Sequence, residues 1–129
     1  MVSALVAAGE SRTSPFSAIG LHHFHGAATR VPVDATAFGI RTPHLSVEIA
    51  SVWQPGDDPA VHQEWADATS AAVGALALPG GYANIMLGAQ FADQVAHAYG
   101  PNAARLREVK DRYDPDRVFT AIPLPLDEG

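Results

Sequence analysis

Leu45-Ser46-Val47-Glu48-Ile49-Ala50-Ser51-Val52-Trp53 runs into Gln54-Pro55-Gly56-Asp57-Asp58-Pro59, and then into Ala60 to Leu76. Leu45, Val47 and Ile49 recur at every second position, while Ser46, Glu48 and Ser51 break the apolar run. That alternation predicts a strand with its aliphatic side chains turned inward. Pro55-Gly56 stops it. Asp57 or Asp58 can then cap a helix by accepting a bond from a free backbone N–H. Pro59 suits the first helical turn, where its missing N–H costs nothing. Val61, Trp65, Ala68, Ala72 and Leu76 follow at helical spacing. Both structural periods are therefore present within one short stretch.

Upstream, Ile19 to Ala27 reads as a second strand, rich in His and Phe, and Arg30 to Ala37 as an irregular connection. Ser11 to Ser17 is a Ser/Pro linker, and Val2 to Ala8 reads as the tail of a helix. Downstream, Leu78-Pro79-Gly80-Gly81 ends the central helix. Tyr82 to Met86 is a short strand candidate. Ala89 to Tyr99 is a helix with Phe91, Val95 and Ala98 on one side. Gly100-Pro101 ends that helix and starts another, which carries Leu106, Val109 and Tyr113 on one face. Arg107–Asp111 and Glu108–Arg112 are candidate ion pairs at a four-residue offset. Asp114-Pro115 stops the last helix. The order β-β-α-β-α-α gives an α+β fold, an antiparallel sheet with helices on one face. The expected division is a helix remnant and linker over 1–18 and a partial domain over 19–129.

The chain has 129 residues, room for one domain. Of its 47% hydrophobic residues, 24 are alanines, which bury little area. The core of an isolated domain would be thin, which favours an element that packs on something else. The net charge of −6, with no basic run, argues against a nucleic-acid partner. With no cysteine there is no disulfide framework, thiolate zinc site or cysteine nucleophile. No apolar run approaches membrane-spanning length. Met1 to Ala8 lacks a signal-peptide pattern, so a cytoplasmic location is expected.

On a strand, Tyr82, Asn84 and Met86 would share a face, and Gly80 and Gly81 would let another backbone or a flat ligand come close. The carboxamide can hydrogen-bond a ligand's polar edge or a substrate, and the phenol can take or give a proton. A free tyrosine, with a pKa near ~10, is a poor base unless a positive charge or hydrogen bonds stabilise its phenolate. His23 and His25 would also share a face of their strand. Two imidazoles are too few for zinc, so no metal site is assigned. A His-based metalloprotein stays the weakest alternative.

The Tyr82-x-Asn84 element and the run Tyr99-Gly100-x-Asn102-x-x-Arg105-Leu106-x-x-Val109-Lys110-x-x-Tyr113-Asp114-Pro115-x-x-x-Phe119 together resemble the C-terminal signature of berberine-bridge-enzyme-like FAD-linked oxidases. These belong to the wider vanillyl-alcohol-oxidase type. Gly26-Ala27, Arg30-Val31-Pro32 and Ala37-Phe38 extend the likeness, which spans Ile19 to Pro125 and is densest over 81–125. The resemblance implies a partial substrate domain. Tyr82 would assist deprotonation, Asn84 would lie at the flavin, and His23 or His25 would face a small-molecule substrate. Tyr99 and Tyr113 would be anchors, Asn102 would bond turn backbone, and Phe119 would plug a cleft. In that family FAD is held mainly by a large N-terminal domain. Here there is no Gly-rich phosphate-binding segment and no candidate for histidyl-plus-cysteinyl attachment. The chain alone is therefore expected to hold FAD weakly or not at all and to need a separate flavin-binding domain or chain. The alternative is a non-enzymatic α+β module, a homo-oligomer formed through an open sheet face.

Overall fold

A computed structural model describes residues 1–86, 92–121 and 124. Helix α1 (Val2–Glu10) precedes strand β1 (Ala18–Phe24). Two 3-10 turns, Gly26–Arg30 and Val33–Ala35, lead to strand β2 (His44–Ala50). Helix α2 (Pro59–Gly74), a 3-10 turn at Ala83–Ile85 and helix α3 (Ala92–Ala98) come next. A last 3-10 turn (Gly100–Asn102) runs into helix α4 (Ala103–Tyr113). The class is α+β, as the alternating and helical periods require. Among the described residues the sheet has two strands, β1 beside β2. No helix among them is long and apolar enough to cross a membrane. Contacts divide the chain into two compact units, residues 1–23 with 45–78, and residues 24–44 with 79–129.

In the first unit the strands run antiparallel. The Ser17 hydroxyl donates to the Val52 carbonyl at 3.2 Å and accepts from the Val52 N–H at 3.1 Å. Gly20 lies across from Glu48, whose Cβ is 3.6 Å from where a Gly20 Cβ would stand. Rising numbers on one strand thus meet falling numbers on the other. This register puts Ile19, Leu21, Leu45, Val47 and Ile49 on one face. That face is only partly covered: Leu21 is 52% and Leu45 45% exposed. His22 and Glu48 meet on the opposite face, 3.4 Å apart.

Helix α2 begins where its signals place it. The Asp58 carboxylate accepts from the Ala60 N–H at 3.0 Å, and Pro59 occupies the first turn. Its buried stripe differs from the expected one. His62, Trp65 and Thr69 are buried, whereas Val61 and Leu76 are exposed. The reason lies on α1. Ala8 sits in that helix's last turn, where carbonyls lack helical partners, and its oxygen accepts the Trp65 indole N–H at 3.0 Å. That bond chooses the face of α2, and His62 and Thr69, three and four residues away, turn inward with it. The Thr69 hydroxyl is satisfied by donating to the Trp65 carbonyl at 2.7 Å.

In the second unit Ala83, Met86, Val95, Ala98 and Tyr99 form a small core, with Ala103, Leu106 and Leu124 packed against it. Glycine permits two close approaches here. A Cβ on Gly39 would stand 2.8 Å from the Tyr99 carbonyl carbon, and one on Gly80 would stand 3.0 Å from the His97 carbonyl oxygen. Asn102 ties the start of α4 to the second 3-10 turn, its amide donating to the carbonyls of Val33 at 2.7 Å and Thr36 at 3.1 Å. Phe24 and His44 stack with centroids 4.8 Å apart.

Several local expectations are corrected. β1 stops at Phe24 rather than Ala27, because Gly26 turns the chain with φ of 67° into a 3-10 helix. Tyr82 to Met86 is not a strand. Its bonds are local, Ile85 N–H to the Tyr82 carbonyl at 3.1 Å and Met86 N–H to the Ala83 carbonyl at 3.3 Å. The start expected for the next helix, Phe91 included, lies outside the described residues. On α4, Asp111 accepts from Arg117, and Lys110 pairs with Asp114. Tyr99 is a buried anchor, but Tyr113 is exposed. Phe119 fills no cleft and is 76% exposed. Asp114 accounts for this by accepting the N–H groups of Val118 at 2.8 Å and Phe119 at 3.0 Å, which folds the chain into a hook around its carboxylate.

Candidate functional site

The Tyr82-x-Asn84 element is held by what lies on both sides of it. Gly80, with φ of 92°, passes against the His97–Ala98 backbone of α3. A Cβ on Gly81 would come within 2.8 Å of the Met86 sulfur. Ala83 and Met86 are buried in the small core. The 3-10 turn between these anchors leaves Tyr82 and Asn84 at the surface, with Tyr82 49% exposed. Met86 therefore does not share their face, because a turn, unlike a strand, does not place alternate residues together.

The turn still brings the two polar side chains into contact. The Asn84 side-chain N–H donates to the Tyr82 phenol oxygen at 2.6 Å. Since the oxygen accepts this bond, the phenol's own proton is directed elsewhere. An N–H aimed at an oxygen also favours negative charge developing there. The pair thus offers a hydroxyl able to exchange a proton and an amide oxygen able to meet a neighbouring donor.

The expected substrate-facing residues are both exposed. His23 is on β1, in the first unit. His25, in the second, has an extended backbone with φ of −158° just before the Gly26 turn. Among the described residues no group of three or more His, Asp or Glu is placed to hold a metal ion.

Gly80 and Gly81 are already filled by His97 backbone and the Met86 side chain, so they cradle neighbouring protein rather than a flat ligand. Arg117 and Lys110 are engaged by Asp111 and Asp114, and Arg105 reaches the Asp34 carbonyl at 3.4 Å. Tyr82 and Asn84 suit contact with the edge of a ring system.

Among the described residues two groups titrate away from their ordinary values. Burial pushes the Tyr99 phenol up. Asp114 is held below the usual carboxylate range, first by the Lys110 ammonium and then by the Phe119 and Val118 N–H groups, against the opposing effect of burial. Asp114 therefore stays charged and keeps the hook closed. A cavity of about 190 Å³ opens between Asp34, Thr36, Asn102, Arg105, Leu106 and Val109, apart from Tyr82 and Asn84.

Residues 81–122 match the family described as berberine and berberine like. The matched stretch contains the Tyr82–Asn84 pair, α3, α4 and the Asp114 hook. Residues 81–122 are a berberine-like segment. Over 100 residues it is 33% identical to a Bacillus subtilis (strain 168) protein named uncharacterized FAD-linked oxidoreductase YvdP. That alignment covers 73% of this chain and 21% of the relative, so the chain spans about a fifth of the relative's length. Within the berberine-like segment, the pairing of phenol and amide is what the structure adds to the motif.

Sequence reasoning passed over His62. In the fold it is buried, bonded through Nδ1 to the Thr13 hydroxyl at 2.8 Å and stacked on Trp53 at 5.4 Å. Its place three residues before Trp65 is the signal that could have found it, since both lie on one stripe of α2.

Proposed function

We propose that this chain is the C-terminal part of an FAD-dependent oxidoreductase, working over a flavin held by a separate polypeptide. The carrying observation is the 2.6 Å bond from Asn84 to an exposed Tyr82 phenol inside the berberine-like segment. The name of the B. subtilis relative supports FAD as the cofactor. Bound FAD supplies the two-electron acceptor for a substrate hydride and returns those electrons to molecular oxygen. Tyr82 Oη takes the proton lost from the substrate hydroxyl or amine as the half-exposed phenol passes its own proton to solvent. Asn84 holds that oxygen by its N–H and offers its own carbonyl to the ring edge. His23 and His25 are the proposed substrate-facing side chains. An alcohol, a sugar hydroxyl or an alkaloid-like amine fits this proton-plus-hydride chemistry. Val118 and Phe119, turned outward by the hook, give the flavin-bearing polypeptide an apolar contact. We take the chain as cytoplasmic.

The test has two arms. In the first, the purified chain is mixed with FAD and passed through gel filtration. The expected outcome is no stoichiometric co-eluting flavin band, and tight binding by the lone chain overturns the division of labour. In the second, the chain is co-expressed with the B. subtilis relative lacking its own berberine-like segment, and oxygen uptake is followed with alcohols, sugars and amines. Tyr82→Phe should abolish any uptake that the wild-type chain restores. Undiminished uptake with Tyr82→Phe removes the phenol from the chemistry.

One observation favours a second reading, assembly through the sheet. Leu21 and Leu45 lie exposed on one aliphatic face, and exposed apolar surface of this kind marks contact sites. Light scattering distinguishes the readings: a dimer broken by Leu45→Glu supports assembly, and a monomer removes it.

A further inference from the structure

Buried in the first unit, His62 joins three segments and has no part in the proposed oxidoreductase chemistry. Its Nδ1 lies 2.8 Å from the Thr13 hydroxyl on the linker after α1. Its backbone carbonyl accepts the Ser51 hydroxyl at 2.8 Å, just beyond β2. Its ring stacks on Trp53 with an interplanar angle of 4°. Its Nε2 faces the Asp57 carboxylate across 3.9 Å, too far for a hydrogen bond. The facing oxygen of Asp57 is meanwhile accepting the Gln54 N–H at 3.1 Å.

We propose that His62 is a proton-operated joint, which on gaining a proton draws the Asp57 loop onto the head of α2. A neutral imidazole has one N–H and an imidazolium has two. The Thr13 hydroxyl can donate to Nδ1 or accept from it, so this arm holds in both states. The Ser51 arm bonds backbone and is indifferent to charge. The Asp57 arm alone is responsive. Whichever nitrogen carries the neutral ring's proton, the imidazolium has an Nε2–H and a positive charge to offer the carboxylate, and the gap closes at the expense of the bond to Gln54. The stacked Trp53 face also favours a cation against it.

The other charged groups on the packed segments are engaged or exposed. From the linker side, Arg12 donates to the carbonyls of Gly9 and Ser17, and Glu10 is exposed. From the loop side, Asp58 is occupied in capping α2. On α2 itself, Glu64 and Asp67 are exposed. Asp57 is thus the carboxylate facing the ring. Because it directly precedes the capping Asp58, its movement is felt at the start of the helix.

The test titrates the full chain from about pH 8 to pH 5, the interval over which imidazoles change charge. Tryptophan emission and the Gln54 amide resonance are followed together. Emission should fall along a one-proton curve as Trp53 is quenched by the charged ring, and the Gln54 resonance should move with the same midpoint. Asp57→Asn should keep the emission change and lose the Gln54 movement. Trp53→Phe should lose the emission change and keep the movement, and His62→Gln should lose both. A Gln54 resonance that stays still above the carboxylate range, or moves equally in Asp57→Asn, overturns the joint. The exposed Asp57 site makes that comparison valid even if His62→Gln fails to fold.

Discussion

Gly39→Ala and Gly9→Ala make the same chemical change and should have opposite effects. At Gly39 a Cβ would stand 2.8 Å from the Tyr99 carbonyl carbon and would press on its oxygen as well. Carbon atoms pack at about 3.5–4.0 Å, so the contact is short by at least ~0.7 Å. Both obstructing atoms are backbone, and no side-chain rotation relieves them. The Tyr99–Gly100 turn must move, and it carries Asn102, whose amide bonds Val33 and Thr36. Overpacking of this kind costs about 1–3 kcal/mol, roughly a 5- to 150-fold change in an opening equilibrium. Gly9 lies in α1, and a Cβ there meets nothing within 4 Å. Replacing a helical glycine with alanine stabilises by about 0.5–1 kcal/mol. Native-state amide exchange reads each site locally. The Asn102 N–H, bonded to the Tyr99 carbonyl at 3.0 Å, reports the first substitution. The Ser11 N–H, bonded to the Ala7 carbonyl at 3.0 Å, reports the second. Unchanged Asn102 protection in Gly39→Ala would refute the close-approach argument.

Other substitutions test other joints. Asp58→Ala removes the cap of α2 and should cost about 1 kcal/mol, seen as a lower urea midpoint by tryptophan emission; no change would mean that Pro59 alone starts the helix. Trp65→Phe keeps a ring but loses the bond to Ala8, a net loss of about 1 kcal/mol, whereas Trp65→Ala should cost about 3–5 kcal/mol; the two are compared by thermal unfolding. Asp114 is held below its ordinary value, so its contribution is full above the ordinary carboxylate pKa of about 4 and fades as pH falls through its lower folded value. Exchange of the Val118 and Phe119 amides should accordingly lose protection in acid. In Asp114→Asn that loss should vanish, with protection already low at neutral pH, and an identical acid profile would remove Asp114 as its cause.

The correct readings share one property, a short reach along the chain. The cap at Asp58, the stop at Asp114-Pro115 and the Gly100-Pro101 junction depend on groups a few residues apart. The C-terminal motif was legible for the same reason, since its spacings are carried along one stretch of sequence. Tyr82 and Asn84 were legible as a pair, but for the wrong reason. Strand alternation predicted shared orientation, and a 3-10 turn delivered contact while sending Met86 into the core.

Sequence alone determined the α+β class, the start of α2, the end of α4 and the likeness of the C-terminal segment to the berberine-like family, because backbone bonding and proline or glycine geometry act locally. Tertiary structure decided which stripe of α2 is buried, since the deciding bond joins Trp65 to Ala8, 57 residues away. It also decided that Phe119 faces outward and that His62 sits between Thr13, Trp53 and Asp57. A side chain's surroundings come from segments brought together by folding, and no local pattern of residues encodes their meeting.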